Sequence, residues 1–306
     1  MAIDAVERII DAHELLGGVE RTEFLDRGYS DDKKYVLWTK GAPSYLVRLS
    51  ELKFTERRRK DFDLMKLHHE RGVPCSEPLI FGADEESGLC FSVFCYIQGE
   101  CAEEALPLLA EREQFDVGVA AGHWLRKMHE VPHPDPDFDW PAHRRAKYER
   151  QSEDIRKHNF AFHGREALAK YVESNLQLLD QAPVRFQHDD YHPGNLIVLD
   201  GRLAGIIDFN RCDWGDPLED FYKVPWFSSP VSVPFARGQV LGYAEDGMPE
   251  NFWRRYNLYL AMMLGVALVW AHHHQPENFD PWQRQIKEIV ETHDFKSGGP
   301  PTWFSD

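Results

Sequence analysis

Two polar clusters on either side of a short apolar hairpin constrain this 306-residue chain more than any other feature. The first is His188-Asp189-Asp190-Tyr191-His192-Pro193-Gly194-Asn195. The second, Asp208-Phe209-Asn210, follows the apolar run Ala204-Gly205-Ile206-Ile207. Between them the segments Leu196 to Leu199 and Leu203 to Ile207 read as extended and meet at the turn signal Asp200-Gly201. A fold that buries this hairpin must present both clusters on loops at strand ends.

The residue types define a chemistry. Asp190 can hydrogen-bond a hydroxyl nucleophile and take its proton. Asn195 offers a neutral oxygen and Asp208 a charged one, the few hard donors that Mg²⁺ accepts alongside phosphate oxygens and water. An isolated Asp in a loop is usually a turn former or a helix cap. Here His188 lies two residues before Asp190, Asn195 five after and Asp208 eighteen after. That order matches the kinase signature His-Arg-Asp-x-x-x-x-Asn followed by Asp-Phe-Gly, carried here as His-x-Asp-x-x-x-x-Asn and Asp-Phe-Asn. His188 is expected to brace the catalytic loop through hydrogen bonds.

Strand signals concentrate in the first third. Tyr35 to Thr39 and Tyr45 to Leu49 form an expected hairpin about Lys40-Gly41-Ala42-Pro43, Phe54 to Glu70 a helix, and Cys90 to Ile97 a further strand. Helical patterns then dominate, at 111–130, 165–179 and from Pro249 onward. This predicts an α+β chain with a small β-rich lobe carrying one main helix, residues 1–98, and a larger, mostly helical lobe, residues 99–306. A nucleotide is expected in the cleft between them. In the first lobe Arg48 is the candidate phosphate cation, with Asp61 or Asp63 to orient it. The Gly28-Tyr29-Ser30-Asp31 segment, with Ser30, stands where a phosphate-covering loop belongs. Backbone groups of Cys95 and Ile97 are candidates for holding the base.

The formal charge of −16 argues against nucleic-acid or anionic-membrane partners and favours a cationic small molecule. Five cysteines in no zinc-like spacing suggest a reduced, cytoplasmic protein. The most apolar stretch, Leu258 to Ala271, is too short for a membrane span. Three consecutive histidines, His272 to His274, point in different directions on a helix and cannot converge on one metal ion.

Gln187 to Asn195, Gly205 to Asn210 and Trp214-Gly215-Asp216-Pro217 resemble the aminoglycoside phosphotransferase family, whose superfamily includes choline and fructosamine kinases. Tyr45 to Leu49, Arg71 to Pro74 and Leu125 to His129 extend the resemblance over most of the chain. It implies a protein-kinase-like bilobal fold, Mg²⁺ with ATP or GTP, and a small-molecule hydroxyl as acceptor. It also implies that Asp216, Glu219 and Asp220 lie near the active-site floor, supporting the catalytic loop or meeting a cationic substrate. Two positions depart from the family. Asp189 stands where glycine is usual, adding charge beside the base, and Arg48 stands in place of a lysine.

The expected activity is phosphate transfer to a hydroxyl of a cationic molecule of the aminoglycoside-antibiotic type, with a metabolic kinase for an amino alcohol or sugar as the alternative. A non-catalytic nucleotide-binding regulator is disfavoured because the base and both metal ligands are kept. Protein-kinase activity is disfavoured because Asp216-Pro217 follows Asp208 too soon for a long activation loop.

Overall fold

The computed structural model describes residues 2–26 and 32–305. The chain forms two compact units, Met1–Ala102 with Asn195–Asn210, and Glu103–Gly194 with Arg211–Asp306. In chain order the elements are α1 (Ala2–Ala12), β1 (Arg21–Leu25), β2 (Lys33–Thr39), β3 (Ala42–Glu51), α2 (Thr55–Glu70), β4 (Pro78–Asp84), β5 (Leu89–Cys95) and β6 (Glu100–Cys101). There follow a single turn α3 (Ala102–Ala105), α4 (Glu111–Met128), α5 (Trp140–His158), α6 (Arg165–Asn175), β7 (Arg185–Gln187), β8 (Leu196–Leu199), β9 (Arg202–Ile206) and β10 (Asp213–Gly215). The remaining long helices are α7 (Val233–Tyr243), α8 (Phe252–His274) and α9 (Phe279–Thr292).

The first unit is built on an antiparallel sheet ordered β1-β2-β3-β5-β4. Strand alternation sorts its side chains. Tyr35, Leu37, Val47, Leu49, Phe91 and Val93 join Ala5, Val6 and Ile9 of α1 in one buried cluster. On the opposite face Phe62 of α2 packs edge-on to Phe81 and tilted against Phe94. The expected hairpins form. Lys40-Gly41 and Asp200-Gly201 each supply two consecutive positive φ values, the requirement of a two-residue turn that follows strand twist. β8 and β9 pair with each other and with β6 in a second small sheet.

In the second unit a short antiparallel pair, β7 with β10, aligns Gln187 with Asp213 and Gly215 with Arg185. Helices α5 and α6 pack on α8, whose buried face includes Tyr256, Tyr259, Leu260 and Leu264. Helices α4 and α7 cross through Gly118 and Gly122 on one side and Gly238 and Gly242 on the other. A Cβ at any of the four would overlap a main-chain oxygen of the facing helix.

Beyond the short β6, α3 and β10, three longer elements were not expected from sequence. β4 is an edge strand that begins at Pro78, and its residues are only half-buried, so it lacks clean alternation. The residues WPAHRRAKYERQSEDIRKH of α5 are almost all polar, with only Trp140 and Arg144 buried, so no apolar stripe marks the helix. α7 carries two glycines and a proline near its start, a poor helix by propensity that is held by close packing on α4.

Candidate active site

In the first unit the hairpin β8–β9 brings Asn195 and Asp208 to the same end. Leu196 pairs with Ile206, and the Ile207 amide donates to the Asn195 carbonyl at 3.0 Å. Asp208 adopts φ 65, a left-handed conformation that Asp tolerates better than most residues. Its carboxylate accepts a short hydrogen bond from the Asn210 amide, and about a third of the side chain remains exposed. One amide oxygen and one carboxylate at a hairpin end are the hard, sparse donors that suit Mg²⁺ held jointly with phosphate oxygens. No group of three His, Cys, Asp or Glu side chains gathers for a metal among the described residues.

Arg48, on β3, is buried on the α2 face of the large sheet. Its guanidinium donates to Asn210 Oδ1 and lies 3.7 Å from Asp208 Oδ1 and 3.8 Å from Asp32 Oδ2. The expected pairing of Arg48 with Asp61 is not what forms. Asp61 meets Arg58 at 3.0 Å, and Arg58 also holds Asp32 at 2.8 Å. The reason is helical spacing, which sets Arg58 and Asp61 three residues apart on one face of α2. Asp32 is fixed further by Ser50 Oγ at 2.6 Å. Lys34 lies directly across from Arg48 in the strand register, and burial together with the Arg48 charge lowers its pKa.

Of the other first-unit candidates, Cys95 ends β5, and its amide donates to the Glu77 carbonyl at 2.9 Å. The Ile97 side chain packs against Gly205, at a position where a Cβ on residue 205 would collide with it. Ser30 lies outside the described residues.

In the second unit the loop leaving β7 is fixed by a buried carboxylate. Asp220 Oδ2 accepts from the His188 amide at 2.8 Å and Oδ1 from the Asp189 amide at 2.7 Å. His129 Nε2 lies 3.0 Å from Asp220 Oδ2, and Tyr243 OH backs His129 Nδ1 at 3.0 Å. The His188 ring is fully buried, edge-on to Tyr191, whose hydroxyl donates to the Ala121 carbonyl at 2.8 Å.

Asp190 follows that fixed segment. Lys223 Nζ is 2.7 Å from its Oδ1, with His192 Nε2 at 3.6 Å and Arg211 at 3.7 Å. Burial alone would raise the Asp190 pKa, but His192 and Lys223 overcome that penalty and hold the carboxyl far below the usual carboxylate range. His192 Nδ1 accepts from the Gly194 amide at 3.1 Å, which leaves the ring proton on Nε2, the nitrogen facing Asp190. Asp189 shows the opposite response. Burial pushes its carboxyl up to about 7, against the pull of Lys223 and Lys147.

The three acids expected at the site floor are all turned inward. Asp216 is fully buried, bonded by Arg255 at 2.6 and 2.7 Å and by Tyr259 at 2.5 Å, and it caps the following turn through the Leu218 amide. Glu219 accepts from Arg144 at 2.9 Å. The turn begun by Asp216 spans Pro217–Lys223 and so delivers both Asp220 and Lys223 to the loop that follows β7. Sequence reading did not single out Lys223, Arg144, Arg58, Asp32 or Lys34. For the first two the only available signal was a cation six residues after Gly-Asp-Pro and one on an unrecognised helix.

A sheet-bearing unit with a buried strand cation, followed by a helical unit presenting an aspartate on a braced loop, is the fold of the kinase-like small-molecule phosphotransferases. The chain belongs to the phosphotransferase enzyme family APH, whose sequence profile matches residues 21–257, and it is a phosphotransferase acting on hydroxyl groups. Among solved structures it is similar to the ADP-bound aminoglycoside phosphotransferase APH(2'')-Ib, with 15% identity, a TM-score of 0.63 and coverage of 96% of this chain and 98% of that one. The GDP complex of wild-type aminoglycoside 2'-phosphotransferase-IIIa is similar at 15% identity and a TM-score of 0.66, over 93% and 97% of the two chains. A thermostable mutant of APH(4)-Ia in complex with AMP-PNP and hygromycin B gives 16% identity and a TM-score of 0.64, over 96% and 100%. No curated protein matches the sequence. No helix among the described residues is long and apolar enough to cross a membrane.

Proposed function

We propose that the protein transfers the γ-phosphate of ATP or GTP, as its Mg²⁺ complex, to a hydroxyl of a small cationic molecule of the aminoglycoside type. The observation that carries this reading is Asp190, kept ionised by Lys223 on a loop whose two preceding amides are bonded to Asp220. Asp190 accepts the acceptor's hydroxyl proton as the new P–O bond forms, and Lys223 and His192 fix the direction of its carboxylate. His188 supports the loop. Arg48 supplies charge for the donor phosphates, with Lys34 beside it and the Arg58–Asp32–Asp61 set holding its surroundings. Asn195 and Asp208 would hold Mg²⁺, which neutralises phosphate charge when bound. The backbone of Cys95 and Ile97 takes the base. A cationic acceptor agrees with the charge of −16 and with gentamicin, streptomycin, kanamycin and hygromycin B in the complexes of the similar proteins. Five free thiols suit a reducing, cytoplasmic setting.

A second reading, a metabolic kinase for an amino alcohol or sugar, is favoured by one observation. Asp216, Glu219 and Asp220 are consumed by internal partners, so they do not form the acidic lining that a polycation would need. The test of both is a panel of aminoglycosides, amino alcohols and sugars incubated with Mg-ATP or Mg-GTP. Phosphorylated product should appear for at least one acceptor, and Asp190→Asn should cut kcat by about 10²- to 10⁴-fold with nucleotide affinity retained. Absence of product from every acceptor, or an Asp190→Asn variant as fast as wild type, overturns the proposed activity.

A further inference from the structure

Tyr243, the last residue of α7, is joined to the loop that carries Asp190 by an unbroken line of buried hydrogen bonds. Its hydroxyl lies 3.0 Å from His129 Nδ1, and the other ring nitrogen, Nε2, lies 3.0 Å from Asp220 Oδ2. The two oxygens of Asp220 in turn receive the His188 and Asp189 amides. Tyr243, His129 and Asp220 are all buried, so bulk water does not compete for these bonds.

The crossing of α4 and α7 sets where Tyr243 stands. A Cβ on Gly122 would come within 2.6 Å of the Tyr243 amide nitrogen, and one on Gly242 within 2.1 Å of the Val119 carbonyl oxygen. The Tyr243 ring stands edge-on to Phe221, with centroids 4.8 Å apart, and Arg126 donates to the Tyr243 carbonyl at 3.3 Å. Main chain and ring are thus fixed independently of the hydroxyl.

The donors and acceptors give the line a direction. The Asp220 carboxylate only accepts, so the imidazole nitrogen facing it must donate. A histidine that donates from Nε2 keeps a lone pair on Nδ1, and Tyr243 has one proton to place there. Burial pushes the phenol pKa up, which holds that proton on the oxygen. Without the hydroxyl the buried Nδ1 is stranded, and the ring relieves it by taking its proton on Nδ1 and turning a bare nitrogen toward Asp220. We infer that Tyr243 is a positioning residue for Asp190, whose hydroxyl sets the tautomer of His129 and so holds the Asp220 carboxylate on the two amides that precede the base. The inference rests on the proposed phosphotransfer reading and adds to it a residue outside the loop and its clamp.

Tyr243→Phe removes the hydroxyl and keeps the ring against Phe221. Tyr256→Phe is the control, since Tyr256 OH makes an equivalent buried bond of 3.0 Å to His293, which binds the Ile289 carbonyl and not the loop. Nitrogen NMR of histidine-labelled protein, with His129 assigned through His129→Gln, should show wild-type Nε2 protonated and Nδ1 bare. Tyr243→Phe should move the ring toward the form protonated on Nδ1. Hydrogen exchange at the His188 and Asp189 amides should be about tenfold faster in Tyr243→Phe than in Tyr256→Phe, although both lose similar thermal stability. With an acceptor found in the panel, kcat should fall about tenfold in Tyr243→Phe at unchanged nucleotide KM, and should hold in Tyr256→Phe. A protonated Nδ1 in wild type, equal amide exchange in the two variants, or a wild-type kcat in Tyr243→Phe overturns the inference. Should wild type phosphorylate no acceptor, the phosphotransfer reading falls, and the tautomer and exchange results alone uphold or overturn the hold of Tyr243 on the loop.

Discussion

The two units solve the same problem, holding charge in a fixed place, by different means. In the first, Arg48 and Arg58 share Asp32, Asp61, Asp208 and Asn210 through side chains alone, a mesh with several alternative partners. In the second, one buried carboxylate, Asp220, grips two successive main-chain amides and a histidine, and Asp190 takes its place from that grip. The difference teaches where substitutions can be absorbed. A side-chain mesh can redistribute its pairs, whereas a main-chain anchor has no second way to satisfy the amides it serves.

The largest effect should come from the anchor. Asp220→Ala strands the buried His188 amide, the part-buried Asp189 amide and a buried imidazole, and we expect a loss of about 3–5 kcal/mol in urea unfolding. In the protein that still folds, kcat should drop by about 10²-fold because Asp190 loses its placement. An Asp220→Ala variant within about 1 kcal/mol of wild type would break the comparison.

A smaller effect separates the units by pH. His293 in the second unit is buried against Tyr256 and the Ile289 carbonyl, and burial lowers its pKa to about 4. The unfolded chain therefore binds this proton below about 6.5 and the folded chain only below about 4. Its contribution to stability is present above pH 6.5 and lost as pH falls toward 4, on the order of 3 kcal/mol in all. Asp189, raised to about 7, works in the reverse sense, since stability falls as pH rises from about 4 to 7. Urea midpoints measured across that window should rise with pH more steeply in Asp189→Asn than in wild type, and should fall with pH in His293→Gln. Parallel curves for the three proteins would contradict the assignment.

The smallest effect belongs to the mesh. Arg48→Lys keeps the charge and loses the fork that reaches both Asn210 and Asp208, so nucleotide KM should rise by about tenfold, roughly 1.4 kcal/mol, with little change in melting temperature. A thousandfold loss, or a collapse of stability like that expected for Asp220→Ala, would show that the first unit is no more tolerant than the second.

The same contrast explains what could be read in the sequence. The β2–β3 and β8–β9 hairpins were legible because Lys40-Gly41 and Asp200-Gly201 encode their turns locally. α2 and α4 were legible from apolar spacing. α5 and α7 were not, because one lacks an apolar stripe and the other derives its stability from a partner far away in sequence. In the candidate site, Asp190, Asn195 and Asp208 stood out as a spaced motif. The partner of Asp61 did not, since four cations, Arg57, Arg58, Arg59 and Lys60, precede it on α2 and only the helix phase selects Arg58. Lys223 was invisible because its meeting with Asp190 depends on the tight turn that Asp216 starts.

The glycine-lined crossing of α4 and α7 has a consequence for the growing chain. The two helices are separated by about a hundred residues, so α4 leaves the ribosome with its small-residue flank bare and no surface of its own to close it. At synthesis rates of about 5–20 residues per second, that flank waits on the order of ten seconds for its mate. When α7 arrives, the crossing closes across the whole intervening segment, a long-range contact that can form only late in synthesis.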